Sequence, residues 1–284
     1  WDDVIEMLPT LQQYGMNFYY AGGLTPFLYQ YGGEFYYADG WYSALDSPEA
    51  LAAFKAWTDL YANYRIPVSA NFYNRMRTGE MPIGIADYQT YVLLSTAAPE
   101  LTGWWEMVPM PGVRRPDGVV DRTAAGGSST AVIYSSARYI DEAWELMKWW
   151  TSTPIQARFG EEVEAVLGVE ARWNTANVDA LMNMPWPKKD ILAIAEQWRW
   201  FKEQPVVLGG YFTDRHIQNA WNRVVLQGLN PREALEIAVK DIDKELAKKQ
   251  EEFGTVIPSR REYTAKYGEL TPGFSVYKEI VGTE

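Results

Sequence analysis

The chain has 284 residues, of which 47% are apolar and 22% charged, and it carries a formal net charge of -11. This length is enough for a sizeable core in one large domain or two lobes. The negative net charge argues against nucleic acid as the main partner, because it would repel the phosphates. There is no cysteine and one histidine, His216, so disulfides are excluded and a zinc site is not expected.

The first hundred residues predict two helices separated by an aromatic loop. An amphipathic helix opens the chain, because Val4, Met7, Leu8 and Leu11 recur at helical spacing despite Pro9. The second helix begins with a Ser-Pro cap and carries apolar residues at the same spacing: Ser47, Pro48, Leu51, Phe54, Trp57, Tyr61 and Tyr64.

Three short β-rich runs in the middle of the chain predict strands. They cover residues 83–86, 105–108 and 130–134, and the second run precedes a loop over 109–118. The helix predicted next has these residues on one face: Ile140, Ala143, Trp144, Met147 and Trp150. Short buried strands that alternate with helices indicate an α/β architecture.

The last third of the chain predicts mainly helices. Residues 190–203 have a helical pattern, and a further helix begins at Asn230 and Pro231 and ends near Gly254. The apolar face of that helix carries Leu235, Ala238, Val239, Ile242 and Leu246. The tail after Gly254 gives no clear element. No apolar run of about 18 residues predicts a membrane span, and no signal peptide is recognised.

Aromatic residues are the most informative part of the composition, with 13 Trp, 19 Tyr and 10 Phe. Sugar rings have apolar faces and hydroxyl rims, so a sugar site combines flat aromatic rings with polar hydrogen-bonding side chains. Trp57, Trp144 and Trp150 lie on apolar helical faces and are predicted to serve packing alone.

Aromatic and polar residues outside the predicted helices are the candidates for such a site. Residues 19–29 form an aromatic loop with glycines, and residues 87–91 follow the strand at 83–86, where ligands gather in open α/β sheets. Residues 126–129 are either a ligand loop or a plain tight turn. Residues 171–174 and 209–215 are either sugar contacts or solvated loops, and His216 is predicted to be structural.

Several segments also match a known pattern in sequence order. They are Trp1-Asp2-Asp3-Val4, Tyr31-Gly32-Gly33 with Asp39-Gly40 and Asp46-Ser47-Pro48, residues 78–85, residues 105–112, residues 126–136, residues 140–153 and Asn230-Pro231-Arg232-Glu233-Ala234-Leu235. Each motif alone is weak. In this order they resemble family 1 extracellular solute-binding proteins, the maltodextrin-binding-like group that delivers sugars to ABC importers.

The resemblance implies an α/β fold of the type II periplasmic-binding-protein class. One lobe would be nearly complete and part of the other present, while the family's N-terminal lobe segment is missing. Residues 1–105 would be a second-lobe segment, 106–165 a return into the first lobe, 166–253 a second-lobe helical segment and 254–284 a C-terminal extension. With most of one lobe missing, we expect the chain alone to bind sugar poorly or not at all.

The resemblance also implies ligand-contact positions. The stacking rings would be Tyr20, Phe27 and Tyr29, the cleft residues Asp87, Tyr88, Gln89 and Tyr91, and the opposing rim Gly126 and Gly127. The later segments would contribute Arg172, Trp173, Tyr211 and Arg215. Gln89 and Tyr91 stand where sugar-specific relatives have Trp, which leaves the particular sugar open.

The implied function is capture of a carbohydrate for ABC-transporter uptake by closure of two lobes about a hinge, with no catalysis, cofactor or metal. The implied partners are a small-molecule carbohydrate and the transporter permease. A lipid anchor or another segment outside this chain would provide the membrane contact, on the extracellular or periplasmic side of a bacterial cell. Two alternatives stay open: a glycoside hydrolase or lyase domain, which needs two carboxyl groups about 5–9.5 Å apart, and a surface adhesin without a transport role.

Overall fold

The computed structural model describes residues 1–37, 40–127 and 129–255, together with positions 259, 262 and 265. Asp39 of the Asp-Gly motif, Ser128 of the loop at 126–129 and nearly all of the expected extension over 254–284 lie outside the described residues. The helices are α1 (Asp2–Gln13), α2 (Thr25–Gln30), α3 (Pro48–Ala62), α4 (Phe72–Arg77), α5 (Tyr88–Thr96), α6 (Ile140–Thr151), α7 (Thr153–Leu167), α8 (Val178–Leu181), α9 (Lys188–Trp198), α10 (Thr213–Val225) and α11 (Pro231–Glu252). The strands are β1 (Phe18–Tyr20), β2 (Ile83–Ile85), β3 (Val113–Arg114) and β4 (Val120–Asp121).

The parallel pair of β1 and β2 confirms the predicted strand at 83–86 and adds a strand that the sequence pattern did not predict. Phe18 lies opposite Ile83, and Tyr20 opposite Ile85, so part of the predicted aromatic loop is a strand. Gly84 in β2 leaves room for the Phe72 ring, and a Cβ atom there would lie 2.6 Å from that ring. The short hairpin of β3 and β4 lies in and just beyond the predicted loop at 109–118.

The main hydrophobic core lies between α2, α3, α10, α11 and β1. Fully buried side chains from these elements include Leu28, Phe54 and Leu246. Trp57 of α3 packs beside Trp221 of α10, with ring centroids 6.0 Å apart, which confirms the predicted packing role of Trp57. The apolar faces of α3 and α11 were predictable because both helices bury one continuous stripe of residues.

Two helix starts agree with the predicted caps. The Ser47 hydroxyl accepts a hydrogen bond from the Ala50 amide at 3.2 Å, and the Asn230 side chain accepts one from the Arg232 amide at 3.0 Å. A capping side chain of this kind satisfies an amide that has no partner within the helix. Gly254 has a φ of 76° just past the last turn of α11, in the left-handed region that favours glycine after a helix.

The cap of α11 gives a direct stability prediction. We expect Asn230→Ala to lower the free energy of unfolding by about 1 kcal/mol, because the Arg232 amide loses its acceptor. Asn230→Asp keeps an acceptor oxygen at the same place and serves as the control. Urea unfolding followed by circular dichroism measures both, and equal losses in the two variants would contradict a capping role.

A second, smaller core lies between α5, α8 and α9. It buries Leu181, Met184, Trp186 and Ile191 with Tyr91 of α5, and residues of α7 pack against its edge. This core therefore joins the segment that follows β2 to two helices about one hundred residues later in the chain.

Three secondary-structure predictions differ from the structure. Residues 105–108 and 130–134 form no strand, and the helix predicted over 190–203 ends at Trp198. A strand requires a neighbour that supplies main-chain hydrogen bonds, and no described segment pairs with either run. Val132, at the centre of the second run, is 65% exposed.

The helix predicted over residues 140–150 is confirmed as α6, but its expected packing is not. α6 has no buried residue, and Trp144 is 53% exposed, so the packing role predicted for Trp144 is wrong in this structure. Trp150 is half-buried and meets Phe159 edge-on at 5.0 Å. In the part of the chain that the structure describes, no helix has the length and apolar character to cross a membrane.

Candidate functional site

Two of the three predicted stacking rings lie inside the main core. Tyr20 is 1% exposed in β1, and its hydroxyl donates a hydrogen bond to the Gly23 carbonyl at 2.8 Å. Phe27 is equally buried in α2 and stacks on Trp1, with ring centroids 4.4 Å apart. Both rings are almost completely buried, so their expected role as ligand platforms is not supported, and both stabilise the core instead.

The third ring, Tyr29, is also buried but lies beneath a charged pair that the sequence pattern did not reveal. Lys202 places its ammonium group 4.1 Å from the centre of the Tyr29 ring and forms an ion pair with Glu34. Burial raises the pKa of Glu34 and lowers the pKa of Lys202, while the ion pair opposes both shifts. Glu34 and Lys202 are 168 positions apart in sequence, so no local pattern could have joined them.

One of the two predicted rim glycines, Gly126, lies close to the segment that carries Lys202. The Ala124 amide donates to the Trp200 carbonyl at 3.0 Å, and the Lys202 amide donates to the Ala124 carbonyl at 3.1 Å. Gly126 lies two positions after Ala124, and a Cβ atom on it would lie 3.0 Å from the Phe201 ring. Gly127 is exposed and has open space around it. The main-chain pairing of Ala124 with Trp200 and Lys202 thus brings Gly126 next to the half-exposed ring of Phe201.

Tyr211 and Arg215 form a separate, exposed aromatic surface at the start of α10. The Tyr211 and Phe212 ring centroids are 4.1 Å apart, and the Arg215 guanidinium lies 4.8 Å from the centre of the Phe212 ring. Asp214 accepts a hydrogen bond from Gln204 at 3.3 Å. This surface combines ring faces with charged groups, which suits a hydroxylated ligand.

Asp87 and Gln89 lie at the beginning of α5, directly after β2. Asp87 caps the helix, because its carboxylate accepts hydrogen bonds from the Thr90 amide at 2.9 Å and hydroxyl at 2.8 Å. Both Asp87 and Gln89 are exposed. These two exposed polar side chains lie at the carboxyl end of a strand, the usual place for a ligand in an open α/β sheet.

Behind these polar side chains lies a group of stacked rings. Tyr88 stacks on Trp186 with centroids 5.9 Å apart, and Tyr91 lies 5.9 Å from the same Trp186 ring. Burial raises the pKa of Tyr88 to about 12, so its hydroxyl keeps its proton at neutral pH. The Tyr91 hydroxyl donates to the Asp190 carboxylate at 2.9 Å. Tyr88, Tyr91, Trp186 and Asp190 are called the α5 cluster below.

Arg172 and Trp173 border the α5 cluster, but their polar groups point into the protein. The Arg172 guanidinium donates to the Tyr91 hydroxyl at 2.7 Å and to Glu164 at 3.1 Å. The Trp173 indole donates to the Gln156 side chain at 2.8 Å. Of the thirteen predicted positions, the structure therefore brings together Tyr88, Tyr91, Arg172 and Trp173, with Asp87 and Gln89 at the adjacent surface.

Two small depressions in the surface have volumes of about 170 and 100 Å³. The first is lined by polar and small side chains near Arg75 and Glu80, away from the predicted positions. The second lies between Trp1, Phe27 and Tyr31. Sugar sites are larger and enclose most of their ligand, so neither depression is a complete site.

Among the described residues, no group of three or more His, Asp or Glu side chains is placed to hold a metal ion. His216 is mostly buried, with its Nδ1 atom 3.8 Å from the Asp241 carboxylate, a position consistent with the predicted structural role.

Comparisons with known proteins agree on one group. The family model for bacterial extracellular solute-binding protein matches residues 1–157. No curated protein sequence matches the chain. Among solved structures, the chain is similar to an ABC transporter solute-binding protein from Thermotoga lettingae TMO bound with α-D-tagatose, with 24% identity over 87% of this chain and 64% of that one and a TM-score of 0.62.

Two further solved structures show the same fold. The sugar-binding protein MalE from Xanthomonas citri is 20% identical over 85% of this chain and 61% of its own, with a TM-score of 0.66. Maltose-bound MalE3 from T. maritima is 20% identical over 86% of this chain and 64% of its own, with a TM-score of 0.62. The chain therefore has the expected α/β fold of the periplasmic-binding-protein type and spans less than two thirds of these solved proteins.

Proposed function

The chain belongs to the bacterial extracellular solute-binding proteins, and we propose that it forms part of a non-catalytic carbohydrate receptor for an ABC importer. One similar solved protein is bound with α-D-tagatose and another with maltose, which supports a sugar as the ligand class. The proposed partners are a small carbohydrate and the transporter permease. The proposed place of action is the outer side of the bacterial cytoplasmic membrane.

The observation that carries this proposal is the surface at the start of α5. Exposed Asp87 and Gln89 stand beside Tyr88, whose ring is stacked on Trp186. A carboxylate and an amide can bind sugar hydroxyls, and an adjacent ring can cover an apolar sugar face. The exposed rings and charges of Tyr211 and Arg215 offer a second surface of the same chemistry.

We also propose the division of the chain into lobe segments, with residues 1–105 and 166–253 in one lobe and 106–165 as the return into the other. Supporting this division, α3 from the first range and α10 and α11 from the second share the main core. α6, from the return segment, buries none of its residues against that core. Closure of the two lobes about the connecting segments would then trap the ligand.

A thermal-shift screen of the complete gene product that contains this chain tests the proposal. We expect D-tagatose, maltose or a related oligosaccharide to raise the melting temperature, because a ligand present at 100 times its Kd adds about 2.7 kcal/mol of stability. Gln89→Ala should weaken binding about fivefold through the loss of one hydrogen bond of about 1 kcal/mol. Calorimetry measures the affinity.

Gln227→Ala is the matched control, because Gln227 is exposed in the turn after α10, away from α5. Its affinity should equal that of the unmodified protein. A screen in which no carbohydrate changes the melting temperature would contradict the proposal. Release of reducing sugar from an oligosaccharide would favour the glycoside hydrolase alternative.

A further inference from the structure

Arg172 is held on two sides by polar groups from different helices. Its guanidinium donates to Glu164 of α7 at 3.1 Å and to the Tyr91 hydroxyl of α5 at 2.7 Å. Tyr91 in turn donates to the Asp190 carboxylate of α9. A continuous chain of hydrogen bonds thus joins three helices through one side chain that is only 9% exposed.

The main chain at the same position makes a second link to α5. The Tyr88 hydroxyl donates to the Arg172 carbonyl at 2.5 Å. Arg172 therefore reaches both tyrosines of the α5 cluster, Tyr88 through its carbonyl and Tyr91 through its guanidinium. Tyr88 lies between exposed Asp87 and Gln89 in sequence, so these links set the position of the first turn of α5.

Arginine suits this position for a physical reason. The guanidinium lies 5.6 Å from the centre of the Trp186 ring and 5.9 Å from that of Tyr91 while it makes its hydrogen bonds. A planar group with several donors can bond in its plane and lie near aromatic rings at the same time, whereas a lysine ammonium cannot. The Glu164 carboxylate compensates the positive charge of the buried Arg172 guanidinium, because burial of an unpaired charge would be costly.

We propose that Arg172 is a positioning residue of the carbohydrate site, which holds the first turn of α5 through Tyr91 and makes no contact with the ligand itself. This inference rests on the proposed function and replaces the direct ligand contact that the family resemblance implied for Arg172. Because Glu164 belongs to the segment 106–165, Arg172 also ties the return segment to the ligand-facing turn.

A double-mutant cycle on the complete gene product separates positioning from contact. With maltose or D-tagatose as the probe, Arg172→Met and Tyr91→Phe should each raise the Kd about tenfold, and the double variant should be no more than about twofold worse than either. A residue that acts through Tyr91 has nothing further to lose when the Tyr91 hydroxyl is absent. Multiplicative losses, near one hundredfold in the double variant, would show direct contact and overturn the inference.

Hydrogen exchange on the ligand-free protein tests the same inference without any sugar. In Arg172→Met, the amides of residues 88–96 should exchange about tenfold faster, while those of α3 and α11 should not change. Arg158→Met is the matched control, since Arg158 on α7 is 74% exposed and pairs with Glu162. Unchanged exchange in α5, or a uniform increase across the chain, would overturn positioning even if neither probe sugar binds. If the proposed function is wrong but the positioning role is right, neither sugar will bind while the exchange rates in α5 still rise as expected.

Discussion

Phe54→Ala is expected to lower the free energy of unfolding by about 4 kcal/mol, the cost of a large cavity in a core that cannot collapse around it. Phe54 of α3 is completely buried and meets Trp57 edge-on, with centroids 6.1 Å apart. Phe54 belongs to the main core, in which α3 packs against α2, α10 and α11. Urea unfolding of the 284-residue chain, followed by circular dichroism, measures the change.

Phe253→Ala provides the comparison, because Phe253 is 71% exposed after the last turn of α11. That substitution removes the same ring and should alter the free energy of unfolding by no more than about 0.5 kcal/mol. If Phe54→Ala cost as little as Phe253→Ala, the main core would not be assembled from α2, α3, α10 and α11 as described.

Lys202→Met is expected to cost about 3 kcal/mol at pH 7, because it leaves the buried Glu34 carboxylate without its cation. Methionine keeps the apolar stem that covers the Tyr29 ring, so the loss comes mainly from the charge. The double variant Lys202→Met with Glu34→Gln removes the uncompensated charge and should recover most of the stability. Chemical unfolding of the three proteins measures both steps.

The pH dependence of that loss has a definite sign. Burial already raises the pKa of Glu34 above its ordinary value of 4.5, and removal of Lys202 is expected to raise the pKa further. A carboxyl group with a raised pKa in the folded state favours folding when protonated, and this contribution is lost as the pH rises through the folded pKa. The penalty of Lys202→Met should therefore shrink as the pH falls from 7 towards 4.5. A penalty that is constant over this interval would contradict an uncompensated carboxylate.

Much of the helical structure was predictable from the chain itself. α3 and α11 begin at capping residues and carry apolar side chains at helical spacing, and both features act within a few residues of one another. The order of motifs along the chain also indicated the family that the comparisons show. These signals are local or ordered along the sequence, so they need no knowledge of which distant segments meet.

The absence of strands at 105–108 and 130–134 and the exposure of α6 could not be predicted from the sequence, because strand formation and helix burial both depend on a neighbouring element. Residues 105–108 and 130–134 have strand-like composition, but no described segment supplies the hydrogen bonds that would make them strands. Trp144 has the spacing of a core residue and is nevertheless exposed, since no described element covers that face of α6. Periodicity predicts which face of a helix is apolar, but not what covers it.

The main helices, the β2 strand, the family and the polar-aromatic character of the segment at 87–91 could all be predicted from residues close together or ordered along the chain. The folded structure was needed to show that Tyr20 and Phe27 are core residues, that Lys202 pairs with Glu34, and that Arg172 turns inward to Tyr91 and Glu164. Several of these contacts join residues that lie far apart in the sequence. A ring or a charge near a glycine-rich loop has the same composition whether it faces solvent or the core, and its role depends on groups that folding brings from far away in the sequence.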